Sequence, residues 1–117
     1  MKMLFVVLSM TLIAGSASAA NKCNIPVVSA YQEYIQNETQ NQFEAIEAVQ
    51  IRYALDSIRK SQELNDEEKA QAIKIAQRPN VLFYEGTSSY RGGTGLEILI
   101  VDSASCRILK TVLWYAE

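Results

Sequence analysis

Leu96-Glu97-Ile98-Leu99-Ile100-Val101, then Asp102-Ser103-Ala104-Ser105, then Cys106-Arg107-Ile108-Leu109-Lys110-Thr111-Val112-Leu113-Trp114-Tyr115, is the stretch that decides the fold. Two runs rich in β-branched and aromatic residues flank four small polar ones, the pattern of two strands joined by a turn. Upstream, Val81-Leu82-Phe83-Tyr84 reads as a third strand. Along the last strand Ile108, Val112 and Trp114 alternate with Leu109, Leu113 and Tyr115, so either face fits a core and the register stays open.

Working outward toward the start, the texture is helical. Asn24 to Val28 reads as an extended lead-in, because Pro26 disfavours helix in the residue before it. Tyr31, Tyr34 and Ile35 then fall at i, i+3 and i+4. Gln36 to Gln42 is wholly polar, and Asn41 with Glu44 has the spacing of a capping box that would restart a helix. Phe43, Ile46, Val49 and Tyr53 form a stripe widened by Ile51, Leu55 and Ile58, with Asp56 placed to pair with Arg59 and Lys60. This helix ends between Lys60 and Leu64. Asn65-Asp66-Glu67-Glu68 is a second capping box whose acids complement the helix dipole, and the helix it opens stops at Arg78 because Pro79 follows. Helices followed by strands define an α+β chain: two to three N-terminal helices packed on one face of a three-stranded antiparallel meander.

The chain has 117 residues, and the first 19 read as a secretory signal peptide. Lys2 is a short positive region, Met3 to Ala14 is apolar apart from Ser9 and Thr11, and Ala17-Ser18-Ala19 is a small-x-small cleavage pattern. The apolar run falls short of the about 20 residues a spanning helix needs, so no stable anchor is expected after cleavage. Asn21-Lys22 ahead of Cys23 does not fit a lipidation motif. Residues 20 to 117 then form a single domain, periplasmic or secreted. With Lys2 removed, 10 basic residues face 13 acidic ones, a net charge of −3 that speaks against nucleic acid or anionic membrane as partner. The two cysteines of an exported chain read as one disulfide, Cys23–Cys106, which closes a loop of about 84 residues and contributes roughly 4 to 5 kcal/mol in the chain-entropy account. No C-x-x-C motif suggests a redox pair.

The absence of histidine removes His-based triads and most zinc sites. No base stands ready to activate a serine or threonine, and Lys69 and Lys74 lie on a solvated helix face, so catalytic residues, a metal and a cofactor are not expected. Glu44 and Glu47 share a helix face and read as solvated surface. Asp66, Glu67 and Glu68 lack the alternating spacing of a calcium loop. The sequon at Asn37 is a chance match if the short signal is bacterial. Gly86-Thr87-Ser88-Ser89-Tyr90-Arg91-Gly92-Gly93-Thr94-Gly95 holds every glycine of the mature chain and reads as a long loop between strands. It lacks the Gly-Lys-Ser/Thr ending of a phosphate-binding loop, and no helix follows it. It is either a plain hairpin connection or a recognition element in which Tyr90 and Arg91, flanked by Ser88 and Ser89, contact a partner.

The segment Leu96 to Leu109 resembles the hairpin of PepSY-like domains, which follow a helix with a strand, a Val-Asp-x-x-Thr-Gly-like turn and a second strand. The layout as a whole, with a cysteine near the mature N-terminus, helix, sheet and the partner cysteine near the end, resembles small periplasmic cystatin-like proteins of the colicin M immunity protein and YebF type. The resemblance implies a binding or inhibitory role without catalysis and assigns no functional residues. The expected function is that of a small exported protein that binds another protein, as an inhibitor or immunity factor. The alternative is an envelope structural or assembly component that self-associates along the edge of its sheet.

Overall fold

The computed structural model describes residues 15–117, with side chains from Lys22 onward; the positive and apolar regions of the expected signal peptide, up to Ala14, lie outside the described residues. The elements are α1 (Gly15–Glu38), β1 (Gln42–Val49), α2 (Ile51–Lys60), α3 (Asp66–Ala76), β2 (Val81–Tyr90), β3 (Gly93–Asp102) and β4 (Ile108–Ala116). The four strands form one antiparallel sheet in the order β1-β2-β3-β4. The chain is thus α+β, with three helices and one disulfide, but the sheet has four strands where three were expected. The helices cover both faces of it.

The helices divide between the faces because β3 has no face to spare. Ile98, Leu99, Ile100 and Val101 are all fully buried, and consecutive strand residues point to opposite sides. Leu99 and Val101 pack with Cys23, Val27, Tyr31 and Ile35 of α1. Ile98 and Ile100 pack with Ala54 and Ile58 of α2 and Ala72 and Ala76 of α3. The α1 residues recur every four positions, one stripe of a helix that runs on through Pro26. The expected extended lead-in is therefore helical. A proline inside a helix costs ~3 kcal/mol, while each large apolar side chain buried on this stripe contributes ~1.5–3 kcal/mol, and Pro26 itself sits on the exposed side.

The other corrected element is β1. Phe43 and Ile46 face α1, whereas Val49 packs with the α2–α3 side. A register shift between Phe43 and Ala45 lets residues three apart share one face of a strand, so a β-bulge imitates a helical repeat. The expected capping pair does other work: the Asn41 side chain donates to the Ser88 hydroxyl at 3.2 Å, and Glu44 accepts from the Ser89 hydroxyl at 2.6 Å. Helix resumes at Ile51.

Several other local expectations hold, although α3 ends at Ala76, short of Arg78, and Asp56 pairs with Arg59 and not with Lys60. Asn65 and Glu68 form the reciprocal capping box, each side chain bonding the other's backbone N–H at 2.8 Å. Asp56 and Arg59 form an exposed ion pair at 3.9 Å. In the β3–β4 turn the Asp102 carboxylate accepts from the Ser105 amide and hydroxyl, both at 2.8 Å, and these bonds hold its carboxyl below the usual range. Cys23 is bonded to Cys106, with Cα atoms 5.2 Å apart. The bond ties α1 to this turn, where Cys106 has φ 62°.

At Gly86 on β2 a side chain of α1 rests directly on the sheet backbone. A Cβ there would lie 2.4 Å from the ring of Tyr31, a fully buried side chain whose hydroxyl is committed to Glu97. Gly86→Ala is expected to destabilise the domain by roughly 1 to 3 kcal/mol, the usual cost of overpacking. Chemical denaturation would measure it as a lower midpoint with an unchanged slope.

Candidate functional site

Residues 86–95 are two paired strands rather than a long loop. Tyr90 pairs with Gly93, leaving Arg91-Gly92 as a two-residue turn with Gly92 at φ 76°. Arg91 stands exposed at the tip. The Tyr90 hydroxyl donates to the carbonyl of Glu117, whose amide in turn bonds the Thr94 carbonyl at 3.1 Å. Ser88 is buried beneath α1 and Ser89 is held by Glu44. Of the four residues singled out, Tyr90 and Arg91 are placed at the hairpin end, Ser88 lies inside the molecule, and the Ser89 hydroxyl is engaged internally.

Beside this tip lies an aromatic row that the sequence did not announce. The β3–β4 pairing slips between Leu96 and Glu97, whose partners are Tyr115 and Leu113. The extra residue is Trp114, and the bulge brings its ring within 5.9 Å of Tyr115. Tyr53 of α2 meets Trp114 edge-on, with ring centroids 6.4 Å apart. Glu85 of β2 accepts from the Trp114 indole at 2.8 Å and from the Tyr53 hydroxyl at 2.8 and 2.9 Å. The Tyr115 hydroxyl bonds the Glu117 carboxylate at 2.9 Å, and the Glu117 carbonyl holds Tyr90. Ring contacts therefore run Tyr53, Trp114, Tyr115, and Glu117 links this row to Tyr90, which the register places on the other face of the sheet. Tyr53 remains 42 % and Tyr115 40 % exposed, so Tyr53 is not the core residue its helical spacing suggested. The buried line of α2 is Ala54, Ser57 and Ile58, and Tyr53 stands one helical step outside it.

On the opposite face α1 stops at Glu38, and a cleft of about 400 Å³ opens beyond it. Tyr34, Thr39, Asn41, Ser88, Glu97 and Leu113 line it, and it continues round β4 to Leu64 and Glu68 on the far side. Glu97 of β3 is only 8 % exposed and accepts the Tyr31 hydroxyl at 2.8 Å. Burial pushes the Glu97 carboxyl above the ordinary range, and the Tyr31 bond offsets part of that. Burial, then the charge of Glu97, raises the phenols of Tyr31 and Tyr34 as well. In the sequence Glu97 sits within an apolar run, where a single polar residue in a strand has the pattern of a solvent-facing position and carries no sign of its burial. Among the described residues no group of three or more Cys, Asp or Glu side chains is arranged to hold a metal ion.

Compared with protein-family models, with curated proteins and with solved structures, the chain matches none.

Two titrations check this geometry. Burial and the Glu85 carboxylate push the Tyr53 phenol up to about 12. That raised value stabilises the fold fully below the ordinary phenol range, and the contribution is lost as pH rises through the higher one. NMR of ring-labelled tyrosine should show Glu85→Gln returning Tyr53 toward its ordinary range while Tyr84, on the other face, stays put. For Glu97 the native state holds a proton that the unfolded chain has released, so its contribution to stability falls as pH rises through that window. Glu97→Gln should melt above the wild type at neutral pH, the difference closing as the pH drops into the ordinary carboxylate range.

Proposed function

We propose that the chain is a small exported protein, residues 20–117 after loss of the signal peptide, that binds another protein without catalysis and acts on it as an inhibitor or immunity factor in the periplasm or outside the cell. The observation that carries this reading is the half-exposed aromatic row Tyr53–Trp114–Tyr115 near the hairpin end that bears the exposed Arg91. Tyrosine, tryptophan and arginine dominate the energetics of protein interfaces. Here the polar atoms of Tyr53 and Trp114 are held by Glu85, and those of Tyr115 and Tyr90 by Glu117. Side chains held in advance lose little freedom on binding. The disulfide is consistent with an oxidising compartment, and no helix among the described residues is long and apolar enough to cross a membrane.

The test uses disulfide-intact protein immobilised against envelope and culture-medium extracts. One partner should be retained by the wild type and lost by Arg91→Ala and Tyr115→Ala, each weakening binding by about 30-fold, the size of a 2 kcal/mol hot spot. Melting should change little for Arg91→Ala, which removes an exposed turn side chain. Retention unaffected by either variant would overturn the reading.

The second reading, self-association along a sheet edge, is favoured by β1, which pairs with β2 on one side only. Against it, Glu44 and Glu47 on that strand would meet like charges in a second copy. The edge at β4 is partly occupied, since the buried Ser61 hydroxyl bonds the Leu113 carbonyl at 3.0 Å. A mass that rises with concentration in sedimentation would move the weight to this reading.

A further inference from the structure

We propose that the cleft beyond the end of α1 is a receptor for an organic cation, a protonated alkylamine or guanidinium group seated between the Glu97 carboxylate and the ring of Tyr34. Glu97 is more than nine-tenths buried, lines the cleft, and has no cationic partner: the one ion pair among the described residues is Asp56–Arg59. Its Oε1 takes the Tyr31 hydroxyl, and Oε2 accepts from no described residue. Enclosing a carboxylate with one neutral donor and no counter-charge is costly. An apolar residue at the same position would continue the run from Leu96 to Val101, so the cost is unexplained by packing.

The surroundings fit a cation. Tyr34 stacks near Tyr31, with centroids 6.2 Å apart, and its own phenol feels the charge of Glu97. An aromatic face beside a carboxylate is the arrangement that holds ammonium and guanidinium groups. Facing Glu97 from α1 are Tyr31 and Tyr34, and from β2 Ser88, all uncharged. On the rim stand Glu68 of α3 and Lys110 of β4. Lys110 is paired with Ile100 and so projects from the other face of the sheet. The cleft, about 400 Å³ with its arm round β4 included, is of a size for a single side-chain head group or a small free amine on the Glu97 side rather than for a larger ligand. An anion would meet Glu97 without a compensating charge.

The test titrates butylammonium and butylguanidinium chloride into the disulfide-intact protein at constant ionic strength, with 1-butanol as the neutral isostere. NMR reads the Glu97 carboxyl and the Tyr34 ring. Both cations should shift these two signals saturably, with Kd on the order of millimolar, and pull the Glu97 titration to lower pH. Binding should weaken at least tenfold in Glu97→Gln, which retains a carbonyl to accept the Tyr31 hydroxyl. Tyr34→Leu should weaken it as well, and serves if the first variant does not fold. Capped lysine or arginine binding more tightly than 1,4-diaminobutane would identify a partner's side chain as the source of the cation, and the reverse order a free amine. No saturable shift by either cation up to about 100 mM, equal shifts from butanol, or undiminished binding in both variants would overturn the proposal.

Discussion

Four consecutive residues of β3, Ile98 to Val101, lie entirely out of water, and the arrangement of every other element follows from that. A strand turns successive side chains to opposite sides, so an unbroken apolar run needs cover on both. One layer of helices cannot supply it. α1 shields Leu99 and Val101 with a stripe of residues four apart, and the α2–α3 pair shields Ile98 and Ile100 with small residues, Ala54, Ala72 and Ala76, that let two short helices lie close to the sheet. The result is three layers from about a hundred residues. β1 joins the two outer layers in sequence, since it follows α1, precedes α2 and carries apolar residues toward both.

The parts of this plan that were legible in the sequence are those fixed by local chemistry. The Asn65–Glu68 box, the Asp102 turn and the pairing of two cysteines each depend on a few neighbouring atoms or on simple counting, and each is present. The parts that were not legible are set by contacts distant in the chain. Phe43, Ile46 and Val49 show a three-residue repeat that reads as a helix; in the strand the bulge keeps Phe43 and Ile46 on one face while Val49 turns to the other, and only pairing with β2 selects the strand. The small residues from Gly86 to Gly95 look like a loop, yet Gly86 is small because Tyr31 rests on it. The continuous run in β3 did announce burial on both sides. The expected packing of the helices on one face of the sheet leaves half of that run uncovered.

The candidate site was legible only at its outer end. Tyr90 and Arg91 stand at the end of a hairpin made from the glycine-rich segment, but the row near them depends on the bulge at Trp114 of β4 and on Glu85 of β2, two strands apart. The two acidic side chains that organise the two faces differ in how far they are satisfied. Glu85 accepts from an indole and a phenol at the surface. Glu97 accepts from one phenol in the interior, which is why its charge is the more poorly accommodated of the two.

The disulfide also sets how the molecule carries load. Tension applied across residues 22 and 117 does not run through the intervening chain; it crosses from Cys23 to Cys106 through sulfur and bypasses the loop that contains all three other strands. Only the eleven residues after Cys106 lie in the line of force. Peeling β4 from the edge of the sheet lengthens the tether by no more than roughly 40 Å, at 3.3–3.6 Å per extended residue. The covalent loop inside it, with the three helices from Cys23 onward and the three other strands, feels no direct pull. Reduction would remove that limit and expose the whole of β2 and β3 to extension.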